Sequence, residues 1–170
     1  ATEGKLTLFD SQDGLAVARA ECGTAYEGVN MRRTLVLTPR CLVDVFEVGS
    51  DAEHTYDWLY HNFGTLAPGL PTTPRAEPLG TANGYQHLTG VAQTQAPDIW
   101  HADFRQEAAN VRLTMLGAES TQLYFGTGMA NNPPEPCPMV AVRRSGKAAT
   151  FVSLIEPYRD QPSVSTLRAV

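Results

Sequence analysis

Apolar residues in this chain recur chiefly at every second position, the period of an extended strand. No stretch places them at the i, i+3, i+4, i+7 spacing that would gather them on one side of a helix. On this pattern Lys5–Phe9, Leu15–Glu21, Asn30–Leu37, Cys41–Val48, His54–His61, Tyr85–Thr94, Ala102–Ala108, Val111–Leu116, Thr121–Gly126, Met139–Arg144 and Ala148–Glu156 read as strands, about eleven in all. Residues that accept turn geometry separate many of them: Ser11-Gln12-Asp13-Gly14, Thr38-Pro39-Arg40, Gly49-Ser50-Asp51, Gly117-Ala118-Glu119-Ser120 and Ser145-Gly146-Lys147. Met139–Arg144 leads into the last of these and Ala148–Ile155 leads out, which predicts a hairpin there.

Regular strands with little or no helix predict an all-β fold, an antiparallel β-sandwich in which each strand turns one face to the other sheet. Leu35, Leu37, Val43, Val45, Leu113, Met115, Leu123, Phe125, Phe151 and Leu154 are the expected core. Two stretches break the rhythm. Leu66–Pro78 holds Pro68, Pro71, Pro74 and Pro78, and Asn131–Pro138 holds Pro133, Pro134, Pro136 and Pro138. Proline supplies no ladder donor, so both are expected as long surface loops that carry binding residues or cover a sheet edge.

A length of 170 residues with 42% hydrophobic content suits one core, so residues 1–170 are expected to form a single domain. No apolar run reaches the about 18 residues of a membrane span, and no membrane partner is expected. Thirteen Lys and Arg against 18 Asp and Glu give a net charge of -5, which argues against nucleic acid as a partner. The basic residues are eleven Arg and two Lys, a bias toward planar donors that suits carboxylates in a ligand as well as in the protein. Three cysteines, Cys22, Cys41 and Cys137, allow at most one bridge and form no metal-binding pattern. An Ala at position 1 is what a processed secreted chain, an excised fragment or an expressed piece would show.

The densest chemistry lies at His54-Thr55-Tyr56-Asp57-Trp58-Leu59-Tyr60-His61. On a strand His54, Tyr56, Trp58 and Tyr60 share one side, either packed inward or exposed as a stacking platform for sugar rings. His54 and His61 fall on opposite sides, which argues against a shared metal. In Trp100-His101-Ala102-Asp103-Phe104-Arg105, the same alternation sends Trp100, Ala102 and Phe104 to the core. His101, Asp103 and Arg105 then stand outside, as a grip for a carboxylated sugar or as a weak surface arrangement. Arg32-Arg33 and Arg143-Arg144 each send one guanidinium to either face. A glycan site would combine an aromatic face with arginine, and Trp58, Tyr60, Trp100, His101 and Arg105 are the candidates. No catalytic residue, metal ligand or cofactor is assigned.

Five stretches taken in order carry a resemblance: Tyr26-x-Gly28-Val29; Arg33-Thr34-Leu35-Val36-Leu37; Cys41-Leu42-Val43-Asp44-Val45-Phe46; Glu53-His54-Thr55-Tyr56-Asp57-Trp58-x-x-His61; and Arg143-Arg144-x-Gly146-x-x-x-Thr150-Phe151-Val152 with Glu156-Pro157. They resemble the later, C-terminal part of the β-sandwich in heparinase II/III-like polysaccharide lyases, which act on heparin-type glycans and alginate oligomers. The resemblance implies a sandwich and a polysaccharide or oligosaccharide partner in an extracellular or periplasmic setting. That family cleaves by β-elimination, using groups from an α-helical toroid and a G-H-x-H-x-D zinc stretch. Neither occurs in this sequence, so no catalytic or metal residue carries over. The expected function is a non-catalytic carbohydrate-binding or accessory module for a polysaccharide, beside a neighbouring catalytic domain. The alternatives are a lyase or fragment of one acting on uronate glycans, and a structural module without ligand.

Overall fold

The computed structural model describes residues 2–164 and 166–168. Eleven strands follow in chain order: β1 Lys5–Gln12, β2 Leu15–Tyr26, β3 Val29–Leu37, β4 Leu42–His61, β5 Thr65–Pro68, β6 Thr73–Pro74, β7 Thr89–Gln95, β8 Trp100–Arg105, β9 Asn110–Met115, β10 Gln122–Ala130 and β11 Glu135–Tyr158. A 3-10 turn, Tyr85–His87, precedes β7. Every pairing is antiparallel, as the alternation predicts.

Two strands frame the molecule. β4 has 20 residues and β11 has 24, against a usual about 5–6, and they pair along most of their length. Their register jumps between Gly146↔His54 and Ala148↔Gly49, so that Ser50–Glu53 bulge outward opposite Lys147. The Ser50 hydroxyl ties the bulge by donating to the Ala52 carbonyl at 2.5 Å and bonding the Tyr56 hydroxyl at 2.8 Å. At this corner the sheet folds over into two leaves. The first leaf runs β1-β2-β3, the first half of β4, the second half of β11, β9, β8 and β5. The second runs from the last half of β4 through the first half of β11, β10 and β7 to β6.

The leaves enclose Trp58, Phe104, Leu113, Met115, Leu123, Phe125, Val140, Val142 and Phe151. Full burial of one such side chain contributes about 1.5–3 kcal/mol. Trp100 of β8 meets Phe125 of β10 edge-on at 6.3 Å, one of the contacts that join the leaves. Asp44 is buried at the seam, where its carboxylate takes Nε and Nη2 of Arg33 at 2.9 and 2.5 Å and Trp58 Nε1 at 3.1 Å.

Several expectations are corrected. Ser145-Gly146-Lys147 is no hairpin: the two predicted strands are the two halves of β11, each paired to β4 instead of to each other. Gly49-Ser50-Asp51 is likewise a bulged corner inside β4. Tyr85–His87 forms the 3-10 turn, so β7 begins only at Thr89. The Pro-rich stretch Leu66–Pro78 contains most of β5 and all of β6. From Glu135 the second Pro-rich stretch is strand. Pro136 and Pro138 sit two apart, and the Pro138 carbonyl accepts from Asn62 on the side away from β10, so the missing N–H groups face outward from that ladder.

Leu113, Met115, Leu123, Phe125, Phe151 and Leu154 are buried as expected. Leu35, Val43 and Val45 are only half-buried, and Leu37 is 54% exposed. The second leaf ends at β4, so the inner side of β1–β3 projects past it as an uncovered shelf with Leu6, Phe9 and Leu37 exposed. Val43 and Val45 alternate onto the opposite side of the first leaf. Cys22, Cys41 and Cys137 are free thiols.

Candidate functional site

The five residues expected to grip a glycan are not brought together. Trp58 and Trp100 are 3% and 2% exposed and belong to the core, which removes both as stacking platforms. Inward packing of large rings wins because it takes far more apolar area from water than a surface position would. Tyr60 is half-buried on the same inner face, parallel to Trp58 at 5.9 Å and edge-on to Phe104 at 5.4 Å. Burial raises its hydroxyl pKa, against a lowering by the Asn62 amide, which donates to that oxygen at 3.2 Å. His101 and Arg105 do lie outside, on the first leaf. Asp103 between them does not form the weak arrangement with Arg105 expected from the sequence. It takes Nε and Nη2 of Arg112 at 2.8 Å each and the Tyr158 hydroxyl at 2.9 Å.

A different arrangement stands on the outer face of the second leaf. Alternation along four paired strands lines up two rows there. Gln95 of β7, Gln122 of β10, Arg143 of β11 and Asp57 of β4 form one, and Gln93, Tyr124, Ala141 and Leu59 form the next. β6 adds the edge: Thr73 pairs with Gln93, and the Arg75 amide donates to the Val91 carbonyl at 2.8 Å, which sets Arg75 beside these rows. Leu79, Tyr85 and Leu88 of the connection to β7 pack over Val91, Tyr124, Met139 and Ala141 and close the far end. The near end stays open as a cleft of about 250 Å³ lined by Arg75, Gln93, Thr94, Gln95, Gln122 and Tyr124. That is below the about 300 Å³ at which pockets for drug-sized ligands begin, so one sugar-sized group is the most it encloses.

Two guanidiniums flank the Tyr124 ring, Arg143 at 5.3 Å and Arg75 at 5.7 Å from its centroid. Arg143 is neutralised: its Nε and Nη2 donate to both Asp57 oxygens at 2.7 Å, and this fork raises the Arg143 pKa above its ordinary value. The Tyr85 hydroxyl donates to the same carboxylate, and its pKa is raised first by burial, then by this hydrogen bond and the Asp57 charge. Arg75 differs. Its Nη1 donates to Gln93 Oε1 at 2.8 Å, no carboxylate pairs with it among the described residues, and its buried Nε has no acceptor there. A buried donor left so costs about 1–3 kcal/mol. The Gln122 oxygen is likewise occupied, by the Tyr124 hydroxyl at 2.5 Å. With both amide oxygens engaged, Gln93 and Gln122 offer their NH₂ groups, and the cleft is rich in donors.

The sequence alone does not reveal this cleft, although part of the signal is present. Gln93-x-Gln95 and Gln122-x-Tyr124 repeat at period two, and alternation turns one member of Arg143-Arg144 outward. Nothing local places Arg75, from a proline-rich stretch, beside them.

No family model matches the sequence, and no curated protein does. Solved structures do match. Heparan sulfate lyase HepC from Pedobacter heparinus shares the fold at a TM-score of 0.63 and 14% identity, over 95% of this chain and 22% of the lyase. A heparinase III does so at 0.60 and 17% identity, over 91% of this chain and 21% of its own. The chain has the fold of part of a heparinase III-type lyase. It spans about a fifth of the length of the lyases it matches. In this heparinase III-type fold the bent pair β4–β11 supplies Asp57 and Arg143 to the outer row, while Trp58 and Arg144 turn inward.

Proposed function

We propose that the chain is a non-catalytic carbohydrate-recognising module related to polysaccharide lyases, taking a uronate-containing polysaccharide in an extracellular or periplasmic setting. The observation that carries this reading is the agreement of fold, over more than nine-tenths of the chain, with enzymes named for heparan sulfate, an acidic glycan. A donor-rich cleft supports an acidic ligand over a neutral one, because a guanidinium without a carboxylate partner gains most from an anion. The coverage of only 22% of those lyases favours a second reading, in which this sandwich stands beside a catalytic domain in a longer lyase.

Affinity electrophoresis through gels containing heparin, alginate or a neutral glucan, with the absorbance of unsaturated uronates followed in parallel, tests the proposal. Retardation by an acidic polymer without unsaturated product is the expected result. Equal mobility in all gels overturns it, and product formed by the purified chain replaces it with a lyase.

A further inference from the structure

We infer that the cleft between β6, β7 and β10 is the anion-binding subsite of this module, with Arg75 as the group that grips one carboxylate or sulfate of an acidic sugar. The inference rests on the polysaccharide reading above and goes beyond it by naming the residues and the part of the ligand they hold.

The charges decide the point. Arg143 already has a carboxylate held by both oxygens, so it has little to offer a ligand. Arg75 sits across the same tyrosine ring with Nη1 on the neutral Gln93 amide and Nε buried without an acceptor. The cluster Arg75, Arg143 and Asp57 therefore carries one uncompensated positive charge beside a cleft whose remaining lining residues, Gln93, Thr94, Gln95, Gln122 and Tyr124, are neutral.

The donors are also fixed in place. Gln93 is held by Arg75, and Gln122 by the Tyr124 hydroxyl. In each pair the amide oxygen is the engaged atom and the NH₂ group is the free one. An anion entering here meets donors without first having to rearrange them, the condition under which hydrogen bonds raise affinity instead of merely ordering side chains. Gln95 and Gln122 are exposed, so the cleft opens to solvent at the end away from Leu79 and Leu88. Its volume of about 250 Å³ fits one sugar unit at a time, which makes it a subsite along a chain and not a site for an oligomer.

Three polymers separate the groups: heparin carries carboxylate and sulfate, carboxyl-reduced heparin only sulfate, and alginate only carboxylate. Gel retardation is measured for the wild-type chain, Arg75→Gln, Gln95→Glu and the exposed control Arg40→Gln. In the polymer that binds, Arg75→Gln and Gln95→Glu are expected to weaken affinity at least about tenfold, equivalent to about 1.4 kcal/mol, and Arg40→Gln to leave it within twofold. Gln95→Glu alters an exposed side chain, so it reports on the cleft should Arg75→Gln fail to fold. The Arg75 Nε–H resonance is followed separately during titration with sodium glucuronate and with glucose 6-sulfate. It is expected to shift with the anion whose polymer binds.

Retardation of both cleft variants equal to wild type, with the Nε–H resonance unmoved, overturns the inference and leaves the polysaccharide reading standing. If no polymer retards the wild-type chain, that reading fails. The monosaccharide titrations then still decide the subsite, because an unmoved resonance refutes it and a saturable shift sustains it.

Discussion

Replacing Asp57 by Asn removes the charge that organises the outer face of the second leaf while keeping the side chain's shape. Arg143 loses its two-pronged partner, in which both N–H···O distances are 2.7 Å, and Tyr85 loses its carboxylate acceptor. A fully buried pair broken on one side costs about 3–5 kcal/mol, and an exposed one about 0–1. Here the side chains keep 23% and 10% of their exposure, so water partly re-solvates the freed guanidinium and the expected loss is about 2–3 kcal/mol. For a chain of this size that corresponds to a melting point lower by roughly 4–12 °C. Denaturant titration of Asp57→Asn, Arg143→Gln and the double variant isolates the pair, with a coupling of about 1–2 kcal/mol expected. A loss below about 0.5 kcal/mol in the single variant, or additivity in the cycle, refutes the view that this pair anchors the face. The same substitution frees Arg143 beside Tyr124, so retardation by an acidic polymer is expected to rise while stability falls, and a fall in both would refute the charge argument.

Three further outcomes are expected. Leu37→Ala on the uncovered shelf costs less than about 1 kcal/mol while Leu113→Ala in the closed core costs about 2–5, and similar losses in denaturant titration would place the shelf under cover. Burial alone would raise the Asp103 pKa, but Arg112 and Tyr158 outweigh it and hold the carboxyl below its ordinary value. Because the folded value is the lower one, the stabilisation is complete above the unfolded value of about 3.9 and is lost as pH falls through the folded value, so stability measured from pH 5 downward falls less steeply for Asp103→Asn than for wild type. Arg105→Ala, on the first leaf, leaves polymer retardation nearly unchanged in the same gels; a loss matching that of Arg75→Gln would move the site to the His101–Arg105 surface.

The strands were legible because a half-buried strand must alternate, and the faces of His54–His61 and Trp100–Arg105 follow from that alone. The corner was not. In β11 the inward residues are Val140, Val142 and Arg144 before the bend but Ala149, Phe151 and Ser153 after it, so the alternation changes phase near Gly146. A phase change at Ser-Gly-Lys has the same local appearance as a hairpin turn, and only the partner strand distinguishes them. β4 keeps its phase, with Asp44 and Val48 inward before the corner and Tyr56 and Trp58 after it, but the polar run Gly49–Glu53 hides the continuity. The shelf was illegible for another reason: Leu35 and Leu37 alternate as core residues do, and whether a second leaf reaches over them depends on where that leaf ends.

The arginine bias acquires its meaning from the same alternation. Each doublet splits as a strand requires: Arg32 goes outward to Glu47 and Arg33 inward to Asp44, while Arg143 goes outward to Asp57 and Arg144 inward to the Thr121 hydroxyl and the Leu116 and Thr150 carbonyls. Arg112 holds Asp103 in a further cross-strand fork. Arginine suits these places because a rigid planar fork holds a carboxylate, or a set of carbonyls, with less entropy lost per bond than a lysine would incur. Burial nevertheless lowers the Arg144 pKa, a sign that its inward position is held by those carbonyls against the cost of desolvating a charge. Five arginines are thus occupied in holding strands together, and their abundance says little about ligands. Arg75 differs from these five: it lines a solvent-open cleft, is held by a neutral amide, and has a buried donor without an acceptor. A buried donor without an acceptor costs stability, and an anion bound beside this guanidinium is the ligand expected to offset that cost.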